Sequence, residues 1–100
     1  MTIDHARTDK STVVLTLAGR LDTANALLLE QNLKQWGEDI TGIILDFKEL
    51  EYISSMGLRV LLQAKKTMKT ENRSLTIIQM RDSVREVFEM TGFYSMLVDE

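Results

Sequence analysis

The six residues "GIILDF", 42 to 47, narrow the choice of fold more than any other stretch of the chain. The run is short, apolar and almost unbroken. A strand with one wet face alternates polar and apolar residues, whereas a continuous apolar run suits a central strand covered on both faces. Helices are the usual cover for such a strand, so the run predicts an α/β layer. The chain has 100 residues, which predicts a single domain, 1–100, with one modest core. Hydrophobic residues make up 44%, enough to fill that core and too many for a disordered chain.

The flanking segments fit this plan. "TVVLTLAG", residues 12 to 19, is rich in β-branched residues and ends at Gly19, so it reads as a strand. A weaker strand, "TIDHART", precedes it across Asp9, Lys10 and Ser11, and antiparallel pairing of the two is expected. "RLDTANALLLEQNLKQWGED" reads as a helix capped by Asp22 or Thr23, with Leu29, Leu33 and Trp36 on one face and Gly37 at its end. After "GIILDF" and the connection "KELEYI", a second helix runs from Ser54 or Ser55 to about Thr70. Leu58, Leu61, Leu62 and Met68 face inward, Arg59, Gln63 and Lys66 outward. Lys65, Lys66 and Lys69 fall in its last turns, where positive charge suits the helix dipole. "SLTIIQM", residues 74 to 80, is another strand. Asp82 and Ser83 then cap a third helix with Val84, Val87 and Phe88 inward. Gly92 ends it, and Phe93 and Leu97 anchor a final turn. The order β-β-α-β-α-β-α predicts a mixed, mostly parallel sheet.

Several kinds of chemistry are excluded or disfavoured. Cysteine is absent, which removes disulfides, thiolate nucleophiles and thiolate metal sites together. The single histidine, His5, lies on a terminal strand, a poor setting for a catalytic triad. A formal charge of −3, from 12 basic and 15 acidic residues, argues against a nucleic-acid surface. No apolar run approaches the ~20 residues that span a bilayer, and "MTIDHARTDK" has no signal-peptide core. The expectation is a soluble cytoplasmic domain without membrane insertion. Gly19, Gly57 and Gly92 do not form a phosphate-cradling motif, so no nucleotide cofactor is expected.

Two constellations carry candidate function. In "YISSMG", residues 52 to 57, Ser54 and Ser55 stand at a helix start beyond the carboxyl end of a strand, where sites gather in open α/β sheets. Either serine can cap the helix. Either can equally accept a phosphate, because a helix N-terminus tolerates an anion. Asp22 and Asp46 form the second pair. They would hold a metal if they met at one rim, but capping and turn roles are the ordinary use of such aspartates, and no acidic loop of the EF-hand kind occurs. Glu49 and Glu51 read as solvated loop residues. Of the methionines 56, 68, 80, 90 and 96, most are expected to fill the core. Met56, directly after Ser55, is expected at the surface for a partner.

"AGRLDTANA", "IILDFKELEYISSMGLRVLL" and "VREVFEMTGF" together resemble a STAS domain, specifically the stand-alone anti-sigma factor antagonists of bacterial partner-switching systems. The resemblance covers nearly the whole chain in matching order. It implies a mixed sheet of four to five strands with three to four helices, and a binding protein rather than an enzyme, with no catalytic residues, metal or cofactor of its own. It further implies an anti-sigma factor partner that is also a serine kinase of the GHKL type, and a phosphatase of the PPM type. The family pattern is Asp-Ser-(Ser or Thr)-Gly-Leu. Anchoring on Gly57 and Leu58 makes Ser55 the phosphate acceptor and puts Ser54 where an acidic residue is usual. The partner surface expected from the resemblance comprises Asp22, Ser54, Ser55, Met56, Gly57 and Arg59. A rival expectation within the same family is a subunit of an ABC lipid-transport complex or a scaffold module. A third, from another class, is a small hydrolase using Ser55 with His5, for which no nucleophile-elbow motif is present.

Overall fold

A computed structural model describes residues 1–98. Along the chain it forms β1 (Thr2–Arg7), β2 (Thr12–Leu21), α1 (Thr23–Lys34), β3 (Gly42–Ile53), α2 (Ser55–Thr70), β4 (Ser74–Ile78), α3 (Asp82–Thr91) and α4 (Tyr94–Leu97). The strands make one sheet in the order β1-β2-β3-β4, with β1 antiparallel to β2 and the other two pairs parallel. The mixed α/β architecture expected from the sequence is therefore present.

Asp9 turns the chain between β1 and β2. Its carboxylate accepts the backbone N–H groups of Ser11 and Thr12, each at 2.8 Å. The Ser11 backbone bond is the main reason the carboxyl is held below the usual carboxylate range.

The core lies on one face of the sheet, where Val13, Leu15 and Leu17 of β2 meet Ile43, Leu45 and Phe47 of β3. Phe47 stands edge-on to Phe88 of α3, with centroids 6.4 Å apart. Val14, Thr16, Ala18 and Ile44, on the other face, are half-buried. On that same face of β3 Gly42 and Asp46 are buried, so the run from 42 to 47 is covered on both faces, as its apolar character predicted. Asp46, 5% exposed, is the one charged residue of the run and lies on the second face beside Thr16.

The "KELEYI" segment is not a loop. β3 continues through it to Ile53, and Glu49 and Glu51 are exposed strand residues. Between Thr16 and Ala18 the partner positions on β3 advance from Asp46 to Glu49, and between Gly19 and Arg20 from Leu50 to Tyr52. β3 thus carries one extra residue at each irregularity, as in a β-bulge. The bulges leave Phe47, Leu50 and Ile53 buried at every third position, a spacing that hides a strand from a search for strict alternation.

β4 ends at Ile78, paired with Asp46, so the second half of β3 runs past it and keeps only β2 as a strand neighbour. The start of α3 covers this free edge. Arg81 Nε donates to Lys48 O at 2.7 Å and Ser83 Oγ to Glu51 O at 3.5 Å. This corrects the expected capping by Asp82 and Ser83: the N-cap position is Arg81, no side chain caps the helix, and the Ser83 hydroxyl is turned to the strand. Gly92, at φ 78°, does end α3.

Gly37 does not end α1, which stops at Lys34 with Gln35 at the C-cap. The carbonyls beyond it are taken by Arg73 instead. Its Nε donates to Ile40 O at 2.7 Å, and its Nη2 reaches Trp36 O and Gly37 O at 3.4 and 3.3 Å. The methionine expectation also needs correction. Met68 is buried and Met80 half-buried, but Met90 is 84% exposed and Met96 also faces solvent. Both lie on short C-terminal helices whose inward faces are filled by Val84, Phe88 and Leu97.

Candidate functional site

The two serines of "YISSMG" have different places. Ser54 is the N-cap of α2, with extended backbone (φ −93°, ψ 169°), and its Oγ accepts the N–H of Gly57 at 3.2 Å. Its own N–H donates to Leu21 O at 2.9 Å, which fastens the helix start to the end of β2. Ser54 is 9% exposed. Ser55 is the first helical residue, exposed, and among the described residues no side-chain hydrogen bond engages its hydroxyl. The cap and the free hydroxyl therefore belong to different residues. A cap of this kind contributes about 1 kcal/mol, and Ser55 contributes none of it.

Gly57 is buried against the same strand ends. A Cβ there would sit 2.8 Å from Leu21 Cγ and 3.1 Å from Ile53 Cγ1. The absent side chain lets the first turn of α2 lie flat on β2 and β3. This sets the height at which Ser55 and Met56 emerge. Met56 is 41% exposed and Arg59 lies on the same wet side of the helix.

α1 starts at the same end. Asp22 caps it, with Oδ1 accepting the N–H of Asn25 at 2.9 Å, and Asn25 Nδ2 donates to Arg20 O at 3.0 Å. The Arg20 guanidinium lies over the Tyr52 ring, 4.3 Å from its centroid. Two helix N-termini, one cation–π pair and the exposed Ser55 thus share one end of the sheet. A further apolar face adjoins it: Leu27 and Leu28 on α1 are exposed, a feature the spacing of Leu29, Leu33 and Trp36 concealed because only one face of that helix was sought.

Asp22 and Asp46 do not meet. Asp46 sits mid-strand opposite Thr16, five residues from Leu21, or about 16 Å along β2. Its Oδ1 accepts Lys48 N–H at 3.0 Å and its Oδ2 accepts Gln79 Nε2 at 3.3 Å, so it holds a turn of β3 and the segment after β4. Gln79 itself leaves β4 with a positive φ of 56°. Among the described residues no group of three or more metal-ligating side chains occurs. His5 pairs with Leu15 and stacks edge-on to Trp36 at 5.4 Å. It lies about 20 Å along the sheet from the start of α2, which removes the pairing of Ser55 with His5. No helix among the described residues is long and apolar enough to cross a membrane.

Comparison with known proteins agrees with this geometry. The STAS domain model matches residues 5–98. BtrV of Bordetella bronchiseptica, provisionally named an anti-sigma factor antagonist, is 38% identical over 85 residues, covering 84% of this chain and 73% of BtrV. The anti-sigma factor antagonist SpoIIAA in its unphosphorylated form superposes with a TM-score of 0.79 at 21% identity, over 99% of this chain and 88% of SpoIIAA. The phosphorylated form of SpoIIAA, a Bacillus cell fate determinant, gives 0.75 at 20% identity over 99% and 91% of the two chains. The chain belongs to the STAS domain family, and its antagonist relatives there are binding proteins, not enzymes.

Proposed function

We propose that this chain is an anti-sigma factor antagonist of a partner-switching system. Its unphosphorylated form binds an anti-sigma factor that is also a GHKL-type serine kinase, and so frees a sigma factor. The observation that carries this is the division of labour at the start of α2: Ser54 does the capping, and the adjacent Ser55 presents a hydroxyl with no structural duty. The names of BtrV and SpoIIAA support the reading, as does the existence of SpoIIAA in two phosphorylation states.

In the proposed reaction the Ser55 oxygen attacks the γ-phosphorus of ATP held by the partner. The bond to the β,γ-bridging oxygen breaks, ADP leaves, and the serine proton passes to a base on the partner. The phosphoserine brings a charge of about −2 into the contact and drives the complex apart by repulsion and desolvation. A PPM-type phosphatase resets the cycle, in the cytoplasm. Asp22, Met56 and Arg59 flank Ser55 in the contact, and Ser54 and Gly57, being buried, serve it by capping the helix and keeping it seated.

Incubation with the cognate kinase and ATP, followed by mass measurement, tests the assignment. One phosphate should add to the native chain and none to Ser55→Ala. Transfer persisting in Ser55→Ala would sink it. Ser55→Asp should weaken the complex with the kinase, and unchanged affinity would count against the switch. If the partner captured is an ABC ATPase and not a kinase, the chain is a transport-complex subunit.

A further inference from the structure

Five of the six arginines of the chain have a defined partner. Arg7 faces Asp39 at 3.5 Å, Arg20 lies on Tyr52, Arg73 holds three carbonyls, Arg81 holds Lys48 O, and Arg85 pairs with Glu89 at 3.1 Å. Arg59 is the exception. Among the described residues its guanidinium has no hydrogen bond, ion pair or ring contact, and it is exposed. It stands four residues after Ser55 on α2, about 6 Å further along the helix, the spacing at which side chains on one face meet.

The other charged groups near this end are otherwise engaged or weakly placed. Asp22 caps α1, and Glu30 of α1 is paired with Lys34 at 3.6 Å. Arg20 is held on Tyr52, Glu51 points to solvent from β3, and Lys66 is two turns beyond Arg59. The first turn of α2 carries no acidic residue, so no anion competes for Arg59 there. The site is thus a fixed hydroxyl with an uncommitted planar cation one turn away, the geometry that a phosphate bridges by charge-assisted bonds.

We propose that Arg59 is the internal receptor for a phosphate on Ser55, so that phosphorylation withdraws a cation from the partner surface as well as adding an anion. The proposal rests on Ser55 being the modified residue. Before modification the pair Ser55 and Arg59 presents a charge of +1; afterwards it presents about −1, with the guanidinium turned inward along the helix. The swing is the same in total charge as a bare phosphate would give, but the donor that a partner carboxylate would use is no longer free. A kinase partner then loses its grip on Arg59 in the same step that modifies Ser55.

The test installs phosphoserine at position 55 by genetic encoding, which needs no kinase, and follows the phosphorus resonance with pH. With native Arg59 the second phosphate ionisation, near 6 in a free phosphoserine, should shift down by about 0.2 to 0.4 unit relative to the Arg59→Gln protein. Arg20→Gln should leave the midpoint where it was. Equal midpoints in the native and Arg59→Gln proteins would overturn the proposal, as would an Arg20→Gln shift matching that of Arg59→Gln. Because the phosphoserine is genetically encoded, this outcome is independent of whether a kinase modifies Ser55 in the cell, which the mass experiment above decides.

Discussion

Gly57 and Leu21 meet so closely that a single added methyl would stand 2.8 Å from Leu21 Cγ. Leu21 is fully buried at the last position of β2, and Ile53 closes the other side at 3.1 Å. None of these atoms is the free end of a long side chain. Gly57→Ala should therefore lift the first turn of α2 off the sheet and cost about 1–3 kcal/mol. Denaturant unfolding of the two proteins measures this. A parallel loss of partner affinity is expected, since Ser55 and Met56 ride on that turn.

The two serines should behave oppositely under alanine substitution. Ser54→Ala removes the acceptor for the Gly57 N–H and should cost about 1 kcal/mol. Ser55→Ala, at an exposed first helical position, should leave stability within about 0.5 kcal/mol. Ser54→Asp should unfold close to the native chain, because aspartate caps as well as serine does. Equal losses for the two alanine variants would contradict the division of labour between them.

Acid should weaken the β1–β2 turn through Asp9. Its folded-state ionisation lies below the usual 3.8, so the stabilisation is complete above that value and is lost as pH falls through the lower folded value. Asp9→Asn removes this dependence. Stability curves of the two proteins should converge as pH drops below about 4, and separate again on return to neutrality.

Arg73 offers a test of a different kind. Its side chain is 14% exposed and gathers carbonyls of Trp36, Gly37 and Ile40, fixing the connection between α1 and β3 to the start of β4. Arg73→Lys keeps the charge but not the planar fork, so at least one of the three carbonyls should lose its donor. The expected loss is about 1–2 kcal/mol, read by thermal unfolding, with Arg73→Ala losing more.

The order of elements could be read from the chain because most are local. Asp22 before a leucine-rich helical run, Ser54 before another, and Gly92 after a third are short-range signals of caps and ends, and all three sit at helix boundaries in the structure. What escaped is set by contacts distant in sequence. The second half of β3 has a buried residue at every third position, which arises only from its bulged pairing with β2. Arg73 stands 36 residues from Gly37, and its role in closing α1 leaves no trace in the local pattern. "GIILDF" reads as a whole strand with "KELEYI" as a connection after it, yet the strand continues to Ile53 on the strength of its pairing with β2. The expected site residues do gather at one end of the sheet, but Ser54 and Gly57 lie beneath the surface and not on it. The uncommitted state of Arg59 could be known only once every other arginine had been placed.

The overhang of β2 and β3 beyond β4 also has a dynamic consequence. The sheet is four strands wide where its core sits and two strands wide where Ser55 emerges, and a two-stranded ribbon has little stability of its own. Its amides from Leu50 to Ile53 are protected largely because Leu21, Leu50 and Ile53 are clamped under the helices. Native-state hydrogen exchange should thus be faster there than at Ile43 to Leu45, with an opening free energy below that of global unfolding. A partner docked across the ends of α1 and α2 would slow that exchange at a distance from any residue it touches. The functional end would then be the part of the molecule whose rigidity is set by the company it keeps.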